Sequence, residues 1–230
     1  LLSLFSIGLM TPALAQLPVS TSPENKNVVL EEFTGLNCVY CPDGHKRANQ
    51  LATNNPGDVV LINVHAGSFA TPGPGEPDYR TPDGQAIDNE ANVSGYPAGT
   101  INRRVFPNFS QNSGGWAMSR ADWATAASTV LGESSYVNIA LEGDIDLATR
   151  TLTVDVEAYF TANTAPSSVR MNIALLQDSI LGPQTGASQF YPAMVLPDGR
   201  YVHMHMLRDM ITPTWGDTIS TTTMGTLFTD

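Results

Sequence analysis

Residues 28–41 read VVLEEFTGLNCVYC, an apolar run that leads to the only two cysteines of the 230-residue chain, Cys38 and Cys41. The first six of these residues predict a short buried strand, and residues 41–54 predict a helix. A Cys-x-x-Cys motif that follows a strand and begins a helix is typical of redox-active cysteine pairs. At such a position the helix N-terminus favours a thiolate on Cys38, because free backbone N–H groups and the helix dipole stabilise negative charge there.

The residues after the motif continue to alternate between strand and helix patterns. A near-continuous apolar run predicts a strand that is buried on both faces, and a later apolar stripe predicts an amphipathic helix. The order β-α-β-α-β-α implies a sheet with helices packed against it. The predicted elements are a strand over 58–65, a helix over 82–92, a strand over 98–105 and a helix within 113–131.

After Gly132 the sequence alternates apolar and polar residues in short runs that are separated by turn-rich pieces. This pattern is typical of an antiparallel β-sandwich. We therefore expect an α/β domain over residues 28–132 and an all-β sandwich of immunoglobulin-like or jelly-roll type over residues 133–230, incomplete at its C-terminus. The predicted strands of the second domain cover residues 136–141, 151–160, 169–177 and 201–211.

The first residues resemble the end of a secretory signal. Residues 1–10 are apolar and uncharged, and Ala13 and Ala15 are small residues at the positions that a signal peptidase reads. We interpret residues 1–15 as a signal-peptide remnant and residues 16–27 as a polar leader. A short transmembrane anchor is the alternative, although the apolar run is shorter than the ~20 residues that a span needs. The expected location is periplasmic, outer-membrane-associated or on the cell surface.

Composition excludes several classes of function. The chain has 22 acidic and 11 basic residues, a formal net charge of -11, so it has no basic surface for the phosphates of a nucleic acid. Hydrophobic residues make up 42% of the chain, which is enough for a folded core. No other stretch is apolar enough to predict a transmembrane segment. The motifs of nucleotide-binding loops and of serine hydrolases are absent from the sequence.

Two residues outside the motif are candidates for the same chemistry. Glu32 lies on the strand that leads to Cys38, and Pro97 precedes a later strand, where a cis proline could pack against the cysteines. Because an exported protein meets an oxidising environment, we expect Cys38 and Cys41 to form a disulfide. Three alternatives remain open: the disulfide is structural, the cysteines bind Cu(I) or zinc, and Glu32 is merely solvated at a strand end.

The four histidines are weaker candidates. His45 lies one helical turn after Cys41, so it either faces and tunes the cysteines or is solvated. His65 ends a strand, where it either belongs to the site or is a hydrogen-bonded structural residue. His203 and His205 are two residues apart on a predicted strand, so they would share a face. That spacing can chelate zinc or copper, but no third ligand is visible nearby.

The cysteine motif, the preceding strand and Pro97 together resemble the thioredoxin fold. The resemblance implies that Cys38 attacks a substrate disulfide, that Cys41 resolves the mixed disulfide, that Glu32 accepts the proton of Cys41, and that Pro97 is cis. The usual Trp-Cys-Gly-Pro-Cys sequence is absent, and the proline is displaced to Pro42. The substrate is expected to contact residues beside the cysteines and the proline, namely Val39, Tyr40 and Tyr96.

A closer resemblance covers roughly residues 28–220. The chain is similar to the outer-membrane-protein (Omp) family related to a 28-kDa Bacteroidetes antigen, in motifs that occur in both predicted domains. This resemblance implies a thioredoxin-like domain, a following β-sandwich and export to the envelope or surface. The motifs are EFTG, Cys38, CP and GH over residues 32–45, HAG and FA over 65–70, GYP and NR over 95–103, and YVH, LR and WG over 201–216.

These observations predict an exported thiol–disulfide oxidoreductase. Its partners would be envelope or surface proteins that carry thiols or disulfides. No organic cofactor is required, because the redox equivalents reside in the Cys38–Cys41 disulfide. The alternative is a non-enzymatic surface protein, an adhesin or receptor, that keeps the thioredoxin fold as a scaffold. The sequence does not predict an oligomeric state.

Overall fold

A computed structural model describes Leu17 and residues 19–230. The predicted signal-peptide remnant over residues 1–15, and with it the alternative of a short anchor, lies outside the described residues. Among the described residues, no helix combines the length and apolar character needed to cross a membrane. The described chain is a mixed α/β protein with many strands and few helices.

The first half of the chain forms the elements that its periodicity predicts. Helix α1 carries Pro42 in its first turn, where the missing N–H costs nothing, and α2 begins where the Thr81 hydroxyl accepts a hydrogen bond from the Gly84 N–H at 2.9 Å. Strand β3 is shorter than predicted, because Asn102 and Arg103 adopt positive φ angles of 52° and 47° and end it. These elements are β1 (Val28–Thr34), α1 (Cys41–Asn54), β2 (Val59–His65), α2 (Pro82–Ala91), β3 (Ala98–Ile101), β4 (Met118–Ser119) and α3 (Trp123–Leu131).

The second half is strand-rich, as predicted, but its strands are shorter and more divided. The predicted strand over residues 201–211 is interrupted at His205, whose φ of 54° is incompatible with an extended strand. The elements are β5 (Val137–Asp146), β6 (Thr151–Phe160), β7 (Val169–Met171), β8 (Ala174–Gln177), β9 (Ile180–Gly182), α4 (Ala187–Phe190), β10 (Tyr201–His203), β11 (Met206–Met210), β12 (Asp217–Ile219) and β13 (Leu227–Thr229).

One six-stranded sheet, in the order β4-β3-β1-β2-β11-β8, positions the cysteines. Strand β1 is parallel to β2 and antiparallel to β3, and β11 is parallel to β2. Side chains of β1 alternate between two core clusters: Leu30 packs with residues of α1 and α3, whereas Phe33 packs with residues of α2. Helices therefore cover both faces of the sheet. Strand β1 is an internal strand of this sheet, and the cysteine motif follows it directly.

The described chain divides differently from the expected boundary at residue 132. One compact unit contains residues 24–135 together with 167–220, because β8 and β11 extend the sheet at β2. Pairing with β11 satisfies the edge of β2 that would otherwise remain open. Strands β8 and β11 thus belong to the six-stranded sheet and do not form a separate sandwich with the rest of residues 133–230. The other unit contains residues 136–166 and 221–230, which form a three-stranded sheet in the order β13-β6-β5.

Candidate functional site

Cys38 and Cys41 form a disulfide at the start of α1, with their Cα atoms 5.4 Å apart. Cys41 is the first residue of the helix, and the Cys38 N–H donates to the Gly35 carbonyl at 3.0 Å, which closes a turn before the helix. Cys41 is fully buried, and Cys38 is only 2% exposed. The two sulfurs are therefore placed at a helix N-terminus but are shielded from solvent.

Glu32 and Pro97 meet at Gly44, in the helical turn that begins at Cys41. A Cβ atom added to Gly44 would contact a carboxylate oxygen of Glu32 and would lie 2.9 Å from Cβ of Pro97. The Tyr96–Pro97 peptide bond is cis, as the resemblance implies. The structure thus brings three of the predicted residues, one from β1, one from the entry to β3 and one from α1, to the same helical turn.

This close approach predicts that Gly44→Ala destabilises the protein. The added methyl group would overlap with both Glu32 and Pro97, so the free energy of unfolding should fall by about 1–3 kcal/mol. Urea unfolding measures the change. Gly132→Ala is the matched control, because a Cβ atom there would meet its nearest neighbour at an ordinary 3.6 Å. Equal stabilities of the two variants would show that the contact at Gly44 is not tight.

Glu32 is a buried carboxyl group without a compensating partner. Neither of its carboxyl oxygens has a hydrogen-bond partner among the described residues, and the residue is fully buried. Burial raises the pKa of Glu32 well above its ordinary value; the charge of Arg120 lowers this pKa, and that of Asp43 raises it. Glu32 is thus not a solvated strand-end residue. A carboxylate with a raised pKa is a stronger base than an ordinary glutamate, which suits it to accept a proton.

Arg120 and Asp43 complete the electrostatic surroundings of Glu32. The Arg120 side chain, which follows β4, donates to the Asp43 carboxylate at 2.5 Å, and Arg47 donates to the same carboxylate at 2.9 Å. Partial burial acts to raise the pKa of Asp43, but these two hydrogen bonds hold it below its usual value. Neither Arg120 nor Asp43 could be predicted from the sequence, because they are 77 positions apart and no local motif relates them.

The three residues predicted to contact substrate differ in accessibility. Val39 and Tyr40 are 43% and 55% exposed beside the disulfide. The Tyr40 ring lies 5.2 Å from the Phe190 ring. Tyr96 donates its hydroxyl hydrogen to Asp88 at 2.5 Å and is partly buried. An aromatic surface is therefore available on the Val39–Tyr40 side of the disulfide.

Three histidines form a buried cluster with two tyrosines. His45 hydrogen-bonds to the Thr34 hydroxyl and to the Tyr201 hydroxyl, both at 2.9 Å, so the expectation of a solvated His45 is wrong. The His65 and His203 rings lie 5.4 Å apart, measured between centroids. The rings of Tyr79 and Tyr201 complete the cluster: Tyr79 lies 5.1 Å from His65 and 5.0 Å from His203, and Tyr201 lies 5.0 Å from His203.

Burial keeps these histidines neutral. It lowers the pKa of His45 to about 3 and that of His203 to about 4, and it lowers the pKa of His65 well below its ordinary value. His203 hydrogen-bonds to the Pro183 carbonyl at 3.2 Å. The Nδ1 atom of His65 has no hydrogen-bond partner among the described residues, so the expectation of a hydrogen-bonded structural role is not met at that atom.

His203 and His205 do not form the strand pair that their spacing suggested. His203 ends β10 and is buried, whereas His205 lies between β10 and β11 with a left-handed backbone and its ring 3.2 Å from the Asp178 carboxylate. Within the part of the chain that the structure describes, no group of three or more His, Cys, Asp or Glu side chains is arranged to hold a metal ion.

Roughly the C-terminal two thirds of the chain match a known protein family. The sequence pattern described as "Outer membrane protein Omp28" matches residues 84–230, which is more than half of the chain. The chain belongs to the Omp28 outer membrane protein family. It is accordingly an exported protein that is associated with the outer membrane or the cell surface. A disulfide at Cys38–Cys41 is compatible with a surface protein of this family.

Solved structures with the same fold are distant in sequence. HBP35 of Porphyromonas gingivalis superimposes with a TM-score of 0.66 at 18% identity, over 90% of this chain and 63% of that protein. A protein from Agrobacterium tumefaciens superimposes with a TM-score of 0.55 at 14% identity, over 90% of this chain and 78% of that protein. The Omp28-family chain thus spans less than two thirds of the length of HBP35. No curated protein matches its sequence significantly.

Proposed function

We propose that the unit around Cys38 and Cys41 is a thioredoxin-like domain that exchanges thiols and disulfides on envelope or surface proteins. The order of β1, α1, β2, α2, β3, β4 and α3, with the disulfide at the start of α1 and a cis proline before β3, supports the thioredoxin-like interpretation. The observation that carries the proposal is the fully buried carboxyl group of Glu32 beside the turn that begins at Cys41, for which the described residues provide no hydrogen-bond partner. A fold that has no use for this proton acceptor would gain stability by replacing it.

In the proposed reaction the reduced pair delivers two electrons to a substrate disulfide. The Cys38 thiolate attacks one substrate sulfur, forms a mixed disulfide and releases a substrate thiolate. Cys41 then gives its proton to the ionised Glu32, and the Cys41 thiolate attacks the Cys38 sulfur. This step forms the Cys38–Cys41 disulfide and releases the second substrate thiolate. Both substrate thiolates take up protons from solvent, and Glu32 returns its proton to solvent. Pro97 would guide the substrate backbone, and Val39, Tyr40 and Tyr96 would contact the substrate.

A structural disulfide is the second candidate function for the pair. The 2% exposure of Cys38 and the full burial of Cys41 favour it, because a reactive sulfur must be accessible to its substrate. In that case the protein would be a non-enzymatic surface binding protein, and the fold would serve as a scaffold. The first candidate function predicts catalytic exchange of substrate disulfides, and the second predicts none.

Repair of scrambled ribonuclease by the full chain, in a glutathione buffer, tests the proposal. We expect the wild-type protein to restore ribonuclease activity, and we expect Cys38→Ser, and the double variant Cys38→Ser with Cys41→Ser, to lose that repair. The matched control is Ser188→Ala, which changes an exposed hydroxyl group outside the motif. Equal repair by wild-type and Cys38→Ser proteins would leave the structural disulfide as the better description.

A further inference from the structure

A segment from the second half of the chain lies directly on the cysteine motif. We call residues 183–190 the cover segment; it leads from β9 into α4. The Thr185 N–H donates to the Leu36 carbonyl at 2.8 Å, so the two stretches of backbone are in direct contact. The Asn37 N–H donates to the Phe69 carbonyl at 3.0 Å. Two separate segments therefore enclose the residues before Cys38.

Gln184 makes the most specific contacts of the cover segment. Its buried side-chain amide donates to the Cys38 carbonyl at 3.1 Å and to the Gly35 carbonyl at 3.2 Å. Both acceptors belong to the turn that positions Cys38. Since buried hydrogen bonds to backbone carbonyls are costly to break, Gln184 fixes the cover segment to the turn.

Gly186 and Phe190 contact the two exposed residues of the motif, Val39 and Tyr40. Gly186 has a φ of 77°, and a Cβ atom there would overlap with the Val39 carbonyl group, so only glycine allows this approach. The Phe190 ring lies 5.2 Å from the Tyr40 ring. The cover segment thus contacts the cysteine motif from Gly35 to Tyr40, a stretch in which Cys38 is only 2% exposed.

The start of the cover segment is anchored in the histidine cluster. His203 hydrogen-bonds to the Pro183 carbonyl, and the Tyr79 hydroxyl occupies the space that a side chain at Gly182 would need. The side chains of His203 and Tyr79 are buried, whereas Pro183 itself is exposed. The segment is therefore held at its first residue and at Gln184, whereas Thr185 and the two residues after Ala187 are exposed.

We propose that the cover segment, through Gln184, determines which thiols can react with Cys38–Cys41. While it is closed, small thiols and flexible chain segments reach the sulfurs, but a cysteine held in a folded protein surface does not. This inference rests on the proposed function for its biological meaning, and it names the substrate class: exposed, flexible protein segments. Accessibility of the disulfide can be measured whether or not the protein turns over a substrate.

The test compares two reductants on the oxidised full chain. Dithiothreitol is small, and reduced thioredoxin presents its dithiol on a folded surface; either one becomes oxidised to a disulfide as Cys38–Cys41 gains two electrons and two protons. Acid quenching, alkylation and mass spectrometry follow the reaction, and the chain has no other cysteines to confuse the readout. We expect Gln184→Ala to accelerate reduction by thioredoxin about tenfold or more and reduction by dithiothreitol much less, since loss of buried hydrogen bonds lowers the cost of local opening.

Two further variants keep the result interpretable. Gln189→Ala changes the same residue type at an exposed position of the segment and should react like the wild-type protein with both reductants. Gly186→Ala should displace the segment by a different route and accelerate the thioredoxin reaction as Gln184→Ala does. Far-UV circular dichroism verifies that each variant is folded. The inference is overturned if thioredoxin reduces the folded wild-type and Gln184→Ala proteins at the same rate. If the wild-type protein fails to repair ribonuclease, but Gln184→Ala still accelerates reduction by thioredoxin more than reduction by dithiothreitol, only the proposed function is contradicted.

Discussion

Acidification from pH 7 to pH 4 is expected to lower the free energy of unfolding by several kcal/mol, because His45, His65 and His203 are buried in their neutral form. Each has a folded-state pKa below the ordinary value, so its contribution to stability is fully present above pH ~6.5 and is lost as the pH falls toward the folded-state pKa. For His45 and His203 that loss extends down to pH values of about 3 and about 4. Each pKa unit corresponds to ~1.4 kcal/mol.

Urea unfolding of the oxidised protein between pH 7 and pH 4 measures this dependence. Other groups also titrate in this range, so the comparison is with His65→Gln, which keeps a polar side chain but cannot be protonated. We expect the stability of His65→Gln to depend less steeply on pH than that of the wild-type protein. His205→Gln is the matched control, because His205 is partly exposed and lies outside the cluster. If His65→Gln and His205→Gln have the same pH dependence, the neutral cluster is not the cause.

Glu32→Gln is expected to stabilise the protein at pH 8 while slowing its disulfide exchange. The folded-state pKa of Glu32 is raised, so the favourable contribution of its neutral form is present below pH ~4.5 and is lost as the pH rises through the folded-state pKa. Above that pKa the folded protein carries a buried charge that accepts no hydrogen bond from the described residues. A neutral amide should therefore raise the free energy of unfolding by about 1–3 kcal/mol at pH 8, with little gain at pH 4.

The same substitution removes the proton acceptor for Cys41. Loss of general base catalysis should slow release of the mixed disulfide roughly 100-fold, measured by quenching and alkylation in a single turnover. Glu31→Gln is a matched control on the neighbouring residue. Glu31 is buried too, but it pairs with Arg103 at 2.7 Å, so its neutralisation should destabilise the protein at pH 8. If Glu32→Gln destabilises the protein at pH 8 as Glu31→Gln does, the carboxylate of Glu32 has a stabilising partner and this account is wrong.

Local patterns were sufficient to predict the elements that carry the cysteines. The apolar run of β1, the start of α1 at Cys41 and the proline in its first turn are all encoded within a few residues. The later Pro97 could be connected with them only through the resemblance to a known fold. Export and family membership likewise follow from motifs that are distributed along the chain.

Contacts between distant residues could not be predicted in this way. Gln184 is 146 positions away from Cys38, and nothing in its own sequence neighbourhood indicates a partner. The expected sandwich differs from the structure for a related reason. Alternating apolar residues predict that β8 and β11 are strands, but not that β11 would pair with β2. Strand pairing depends on which sheet edge is open in the folded chain, and periodicity does not report it.

The proposed function requires that Cys38 is chemically reactive because its sulfur lies at the N-terminus of α1. The most direct measurement is the pH titration of thiolate absorbance in the reduced protein, with Cys38→Ser and Cys41→Ser variants assigning each thiol. We predict a midpoint for Cys38 clearly below ~8.5, the ordinary value for a cysteine, and a higher midpoint for the buried Cys41. A Cys38 midpoint at or above ~8.5 would contradict the claim and leave a structural disulfide.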